Sequence, residues 1–374
     1  MSGEAQAVIE ERVEVPTLDF AAFWPTLASG RYRPTLDRPF CAAIPHLPAV
    51  TAAGLRLVAS VYCPVGQKVE ASTSVGRIIS FAFAPATADW ATIWAATSVR
   101  PHVLSMTVDG LEQAQFVATT LRGFTIDAED SLVPLSFAVP VQDTWHTLPE
   151  PRNWVRTCGE GLSPDHYVLS GLDTAHRIQG IIEAHGDGKG PLRMLDWGVG
   201  TGRVAVPLKR LLRPDDEIVG ADVDTFNVDW CAENLTDIEV IASGLYPPLP
   251  YEDERFDVIY GISVVTHLMP ATIDSWLREL RRLLRPGGLC ILTTHGDHHL
   301  LTRKLTEGQA LDLAEQGISS RQPDRAIDLV EPSYYRSTIE LRQHVMENWS
   351  QIMPVVAYLP MAARIQDFVV LRKP

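Results

Sequence analysis

The chain has 374 residues, which suits two domains or one large one, and 46% of them are hydrophobic, enough for a sizeable core. Lys and Arg total 32 against 46 Asp and Glu, a formal charge of −14 with no basic block, which argues against a surface that tracks nucleic-acid phosphates. Five scattered cysteines (Cys41, Cys63, Cys158, Cys231, Cys290) form no Cys-x-x-Cys motif, no apolar run is long enough to span a bilayer, and the acidic N-terminus lacks an apolar signal core. The expectation is a cytoplasmic protein with reduced thiols, no metal site, and neither nucleic acid nor membrane as partner.

Residues 1–15 read as a charged lead-in, and the prolines of 16–50 oppose long helices. Short β-like runs follow at Leu55–Tyr62, Val75–Phe83, Val103–Val108, Gln115–Thr119 and Leu132–Val139, with turn signals between several of them. Many short strands at this spacing predict a small β-sandwich or barrel over residues 1–145. No catalytic motif stands out in it. Packing or dimerisation is one use for such a domain. Substrate recognition, with Trp90, Trp94 or Trp145 as platforms, is the other.

Residues 146–165, with Pro149, Pro151 and Pro164, read as a linker, and Asp165–His185 as a helix with Val168, Leu172, Ala175, Ile178, Ile181 and Ile182 on one face. From there strand and helix patterns alternate, which predicts a parallel sheet. The strands are Arg193–Trp197, Glu217–Asp222, Glu239–Ala242, Asp257–Ser263 and Leu289–Thr294. Helices fall at Val204–Leu212, after Asp224 as cap, and at Pro270–Leu284, the clearest amphipathic stretch. Residues 298–350 read as a mixed, mainly helical insertion. Met353–Leu359 and Gln366–Arg372 close the chain as strands.

The run Leu195-Asp196-Trp197-Gly198-Val199-Gly200-Thr201-Gly202-Arg203 joins a strand to a helix through three alternating glycines, which permit positive φ and let a ligand lie against the backbone. A dinucleotide fold would place its third glycine where Arg203 stands. Asp222, ending the second strand, suits a ribose diol. Asp196 suits an ammonium group and is an unusual neighbour for a pyrophosphate. A ligand with a ribose, an ammonium and no phosphate fits S-adenosylmethionine.

Further motifs follow in order: Gly220-Ala221-Asp222-Val223-Asp224, Pro247-Pro248-Leu249-Pro250-Tyr251, Arg255-Phe256-Asp257-Val258-Ile259, Ser263-Val264-Val265-Thr266-His267-Leu268, Leu284-Arg285-Pro286-Gly287-Gly288 and Thr293-Thr294-His295-Gly296. With the glycine turn, these make residues 155–374 resemble the class I S-adenosylmethionine-dependent methyltransferases, most closely a bacterial subgroup met in glycan and secondary-metabolite biosynthesis. The resemblance implies a Rossmann-like seven-stranded sheet whose last strand runs antiparallel between its neighbours, in a domain of residues 146–374. It also implies cofactor roles. Gly198, Val199, Gly200 and Gly202 line the methionine and ribose. Asp196 orients the amino acid moiety, Asp222 binds the ribose, and Val223 flanks the adenine. Ser243, Gly244 and Leu245 approach the adenine edge, where many relatives carry Asp or Asn in place of Ser243. Gly261, Ile262 and Ser263 lie beneath the methionine, and Tyr167, Ser170 and Gly171 close over it.

Methyl transfer needs a nucleophile placed in line with the methyl carbon, and a base when that nucleophile is a hydroxyl. His295 and, second, His267 follow strands at the ligand-binding rim and are the candidate bases. His298 and His299 flank them without natural convergence on one ion, and Tyr334, Tyr335 and Arg336 offer an aromatic and cationic wall. The expected acceptor is a small molecule, methylated on oxygen, with nitrogen, carbon or a peptide as alternatives. A homodimer is left open. A dinucleotide-dependent hydride-transfer enzyme and a non-catalytic cofactor-binding scaffold are the rival classes.

Overall fold

The computed structural model describes residues 17–74, 76–86, 94, 97–110, 116–126, 129–138, 148–158, 163–323 and 334–374. The lead-in at 1–15, Trp90 and Trp145 lie outside the described residues.

Strand β1 (Thr17–Leu18) leads into helix α1 (Phe20–Ser29), capped by Asp19, whose carboxylate accepts from the Ala22 N–H at 3.0 Å. The proline-rich sequence argued against helix here, yet α1 runs ten residues with Pro25 inside. Phe23 and Leu27 of α1 are fully buried against Leu300, Leu313 and Ile339 from the far end of the chain. Each buried side chain of this kind is worth ~1.5–3 kcal/mol, enough together to offset the ~3 kcal/mol of an interior proline.

Strands β2 (Ala42–Pro45), β3 (Ala49–Thr51), β4 (Gly54–Pro64), β5 (Glu70–Thr73), β6 (Arg77–Pro85), β7 (Val99–Asp109), β8 (Phe116–Ile126) and β9 (Glu129–Ala138) follow. They form two antiparallel sheets, one ordered β2-β4-β7-β6 with β3 paired to β4, the other β5-β8-β9. The alternation read in the sequence is the packing: Leu55, Leu57, Ala59 and Val61 of β4 and Leu104, Met106 and Val108 of β7 share one buried face, against which Val69 and Ala71 pack.

The expected linker contains a helix, α2 (Pro151–Cys158). Proline is favourable at a helix start because its missing N–H would be unpaired there anyway, so the residue that suggested a linker begins the helix. Helix α3 (Pro164–His185) has Pro164 in its first turn and Ser163 as cap.

The α/β portion comprises β10 (Arg193–Trp197), α4 (Ala205–Leu211), β11 (Glu217–Asp222), α5 (Thr225–Asn234), β12 (Glu239–Ala242), β13 (Phe256–Gly261), α6 (Pro270–Leu283) and β14 (Leu284–Thr294). An insertion follows, with β15 (Leu305–Thr306), α7 (Glu307–Gln316), β16 (Ile318–Pro323) and β17 (Arg336–Glu340), before β18 (Val355–Ala363) and β19 (Gln366–Arg372) close the sheet. The order β12-β11-β10-β13-β14-β19-β18 makes seven strands, and β19 runs antiparallel to both neighbours, as the resemblance implied.

Among its described residues the insertion carries a helical run at 342–352 and helix α7, which is set by a reciprocal capping box between Thr306 and Gln309 and stopped by Gly317 at φ 75°. The antiparallel pair β16–β17 follows. Thr17 and Leu18 of β1 pair with Thr306 and Leu305, so the first described residues and the insertion fold as one unit.

Helix α6 carries the predicted stripe: Ile273, Trp276, Leu277, Leu280 and Leu283 are buried against Leu195, Ile259 and Leu292 of the sheet. Leu280→Ala should lower the unfolding free energy by ~2–5 kcal/mol, the cost of deleting a fully buried leucine. Denaturant titration checks it, and a change under 1 kcal/mol would mean the helix face is not core.

Candidate functional site

Gly198, Gly200 and Gly202 have φ of 81°, 55° and 73°, the left-handed region that side chains disfavour. The turn is closed by the Gly198 N–H donating to the Ala221 carbonyl at 2.8 Å and the Gly202 N–H to that of Val199 at 2.9 Å. A Cβ on Gly200 would stand 2.7 Å from Thr157 Cγ2, and one on Gly198 would collide with Val264. The Val199 side chain turns into the core over Gly220, so Val199 offers the turn only its backbone.

Two carboxylates flank the turn. Asp222 accepts from the Gly200 N–H at 2.7 Å through one oxygen and from the Asp224 N–H at 2.8 Å through the other. A carboxylate oxygen takes more than one donor, which leaves capacity for ribose hydroxyls. Asp196 is buried beside Tyr260. Burial, with the nearby Asp222 charge, pushes its carboxyl up to about 8. An arriving ammonium group would restore its charge, which is the fit expected for an amino acid moiety.

Asp224 caps α5 as expected, accepting from the Phe226 N–H at 3.1 Å, and also receives both guanidinium arms of Arg156 at 2.7 and 3.1 Å. Thus α2 lies over the turn, with Thr157 against Gly200 and Asn153 bonded to Asn227. Val223 is half-buried beside Asp222. The Ser243 N–H donates to the Asp222 carbonyl at 2.8 Å, so Ser243, Gly244 and Leu245 follow β12 at the same rim. The Leu245 carbonyl accepts from Trp276 Nε1 at 3.2 Å and from the Tyr334 hydroxyl.

On the side where the methionine is expected, the Tyr167 hydroxyl meets Thr201 Oγ1 at 2.6 Å, and a Cβ on Gly171 would collide with the Arg203 carbonyl. Glycine there lets α3 close on the turn. Arg203 Nη1 donates to Ser170 Oγ at 3.2 Å, while its buried Nε has no hydrogen-bond partner among the described residues. An orphaned guanidinium N–H beside the glycine turn fits a ligand carboxylate. The sequence presents Arg203 only as the residue where a dinucleotide fold would have glycine; its chemistry depends on α3 packing beside it.

Strand ends meet beside the turn, where the sequence reading expects the acceptor. Gly261 lies against Trp197, where a Cβ would stand 2.8 Å from the indole. Ser263, after β13, is held at φ 60° with its N–H on Thr293 Oγ1 at 2.8 Å, a strained backbone of the kind found at functional sites. Gln366 Nε2 donates to Ser263 Oγ at 2.7 Å and reaches His295 Nε2 at 3.3 Å. His295 Nδ1 meets the Thr338 carbonyl at 3.2 Å, which places the proton on Nδ1 and leaves Nε2 as the acceptor nitrogen. Sequence reasoning missed Gln366 because it lies 71 residues beyond His295.

The two candidate bases have different settings. His267 stacks on Tyr335, with centroids 4.6 Å apart and planes 16° from parallel. His295 stacks on His299 at 4.1 Å and 6°. Burial pushes His299 down to about 2 and His298 to about 3, so both are neutral at physiological pH. His298 faces away, among Phe40 and Trp94. Trp94 is therefore a core residue, 1% exposed, and offers no platform. Among the described residues no three His, Cys, Asp or Glu are grouped to hold a metal.

The Asp196 carboxyl moves from 3.8 to about 8 on folding, so the folded chain favours its protonated form. The stability this lends is complete below 3.8 and lost as pH rises through about 8. Asp196→Asn should therefore melt higher than the parent protein above pH 8, in the absence of ligand, and match it at acid pH. The same variant should bind S-adenosylmethionine more weakly. Melting curves that differ equally at all pH values would refute the burial argument. Gly200→Arg should abolish binding in calorimetry by filling the turn, and unchanged affinity would remove the turn from the site.

Residues 194–288 match the family model described as methyltransferase domain. The chain is 25% identical over 167 residues to a tRNA N(3)-cytidine methyltransferase of Gallus gallus, covering 42% of this chain and 41% of that protein. It is 32% identical over 107 residues to a ubiquinone biosynthesis O-methyltransferase of Brucella anthropi, covering 28% and 41%. It is 33% identical over 103 residues to a fatty-acid O-methyltransferase of Mycolicibacterium smegmatis, covering 27% and 36%. The chain thus spans about two fifths of the length of these curated relatives. Glycine turn, paired carboxylates and seven-stranded sheet agree with that match: the chain carries an S-adenosylmethionine-dependent methyltransferase domain.

Proposed function

We propose that the protein transfers the methyl group of S-adenosylmethionine to an oxygen of a small-molecule acceptor, a hydroxyl of a sugar-containing or secondary metabolite. The observation that carries the choice of oxygen is His295. Its proton is directed to Nδ1 by the Thr338 carbonyl, its Nε2 faces Gln366 and Ser263, and it follows β14 at the ligand rim. An imidazole so held, with Nε2 free of its proton, is suited to take the proton of a hydroxyl as it attacks. The names of two relatives, both O-methyltransferases, point the same way.

The cofactor, when bound, supplies the activated methyl group on its sulfonium. Asp196 holds the ammonium, Asp222 the ribose and Arg203 the carboxylate. Tyr167, Gly171 and the α2 residues Arg156 and Thr157 exclude water above the turn. Gln366 withdraws from His295 Nε2 as the acceptor hydroxyl arrives, and His267 with Tyr335 forms a second wall. Residues 1–145 act as an accessory region and 146–374 as the methyltransferase region. The accessory region shapes the acceptor side, since Thr35 bonds Asp297 through both its N–H, at 2.5 Å, and its hydroxyl, at 2.7 Å.

A second reading, an RNA acceptor, is favoured by the name of the chicken relative and opposed by the charge of −14. Labelled methyl transfer to pooled glycans and sugar nucleotides, phenolic metabolites, amines, peptides and tRNA separates the two. Label is expected in a hydroxyl-bearing metabolite pool, and label in tRNA alone would replace the proposal. His295→Gln should lower kcat by ~10²–10⁴-fold with cofactor affinity retained. Unchanged turnover would remove the base.

A further inference from the structure

Outside the methyltransferase site, two cysteines face each other across an edge strand. Strand β2 pairs antiparallel with β4 in unbroken register, Ala42 opposite Tyr62 and Ala43 opposite Val61, so the next pair outward is Cys41 opposite Cys63. The His46 N–H donates to the Val58 carbonyl at 2.8 Å, in the same register. Hydrogen-bonded pairs alternate with non-bonded ones from that point, which makes 42/62 a bonded pair and 41/63 a non-bonded pair. Opposed residues of a non-bonded pair have Cα atoms ~4.5 Å apart and their side chains closer than in a bonded pair, within the range a disulfide spans. Cys41 and Cys63 also point to the same face, since both pack with Ala43 and Leu57 in the core of this sheet.

A third group completes the cluster. His102 Nδ1 lies 3.0 Å from the Arg100 carbonyl and 3.6 Å from Cys63 Sγ, while its ring stacks on Phe83 at 4.7 Å and 8°. The carbonyl draws the imidazole proton to Nδ1, and the same N–H points toward the Cys63 sulfur.

We propose that Cys41 and Cys63 are a redox-active dithiol that closes into a cross-strand disulfide on reaction with a small-molecule disulfide such as oxidised glutathione. The half-buried Cys41 thiolate attacks the oxidant's sulfur, forming a mixed disulfide and releasing one glutathione thiolate. The buried Cys63 thiolate then attacks Cys41 Sγ and expels the second glutathione. The protein loses two protons and two electrons, and the oxidant becomes two thiols. Burial holds both thiols well above their usual range, Cys63 at about 12, so closure is slow near neutral pH and faster as pH rises. The bond fastens β2, the edge strand of its sheet, whose Ala43 carbonyl accepts from Arg177 of α3. Oxidation therefore staples the β-rich region at the point where it grips the helix that carries Tyr167.

The test is incubation of the full-length protein with oxidised glutathione, followed by peptide mapping without reduction and by thermal melting. The expected map contains a peptide linking Cys41 to Cys63 that disappears with reductant, and a melting temperature several degrees higher in the oxidised protein. Cys63→Ser should instead retain a glutathione adduct on Cys41. A map of the parent protein without the linked peptide, or with Cys41 or Cys63 joined to Cys231 or Cys290, would overturn the proposal. So would linkage that leaves the melting temperature unchanged.

Discussion

Two carboxylates that repel each other, Asp196 and Asp222, are held at the ends of adjacent parallel strands with a backbone turn between them. Among the described residues neither forms a salt bridge, although the Arg203 charge acts on Asp196; Asp222 is stabilised by two turn N–H groups, and Asp196 is buried against Tyr260. Buried like charges are costly unless something compensates. A cationic ligand with a diol would compensate both at once, and this requirement shapes what surrounds the turn. The glycines leave the space, α3 approaches because residue 171 has no side chain, and α2 is fastened across the opening by Arg156 on Asp224.

The region ahead of the methyltransferase domain is more than an appendage. Its first described strand pairs with the insertion, and α1 fills the hydrophobic cluster around Leu300 and Leu313. Asp297, buried two residues after His295, is satisfied wholly by distant groups: the Thr35 N–H and hydroxyl and the Arg342 N–H. The loop that bears the candidate base therefore owes its conformation to both ends of the chain. This ties the loop of the candidate base to parts of the protein that lie outside the matched domain.

Much of the architecture was legible in the sequence. The strands at 193–197, 217–222, 239–242 and 366–372 stand as read, because short apolar runs bounded by turn residues have one compact solution once helices alternate with them. The glycine turn, Asp222 and the Asp224 cap were legible for a similar reason: each rests on backbone chemistry within a few residues. Proline misled twice. Pro151 begins a helix in an expected linker, and Pro25 sits inside α1, where burial outweighs the lost hydrogen bond.

The sequence by itself determined the strand–turn–helix proposed to hold the cofactor, since positive φ and a strand-ending carboxylate are local properties. Only the tertiary structure decided which side chains complete the site. Arg156, Thr157, Arg203 and Gln366 have no role that the sequence alone reveals, and their roles arise from groups 33–103 residues away, such as Ser170 beside Arg203 or Ser263 beside Gln366. The histidines show the same division. Sequence placed four of them near one rim. Packing left His295 with a directed tautomer and turned His298 and His299 into neutral, buried rings. Burial and orientation are set by contacts between distant segments, and no local pattern records them.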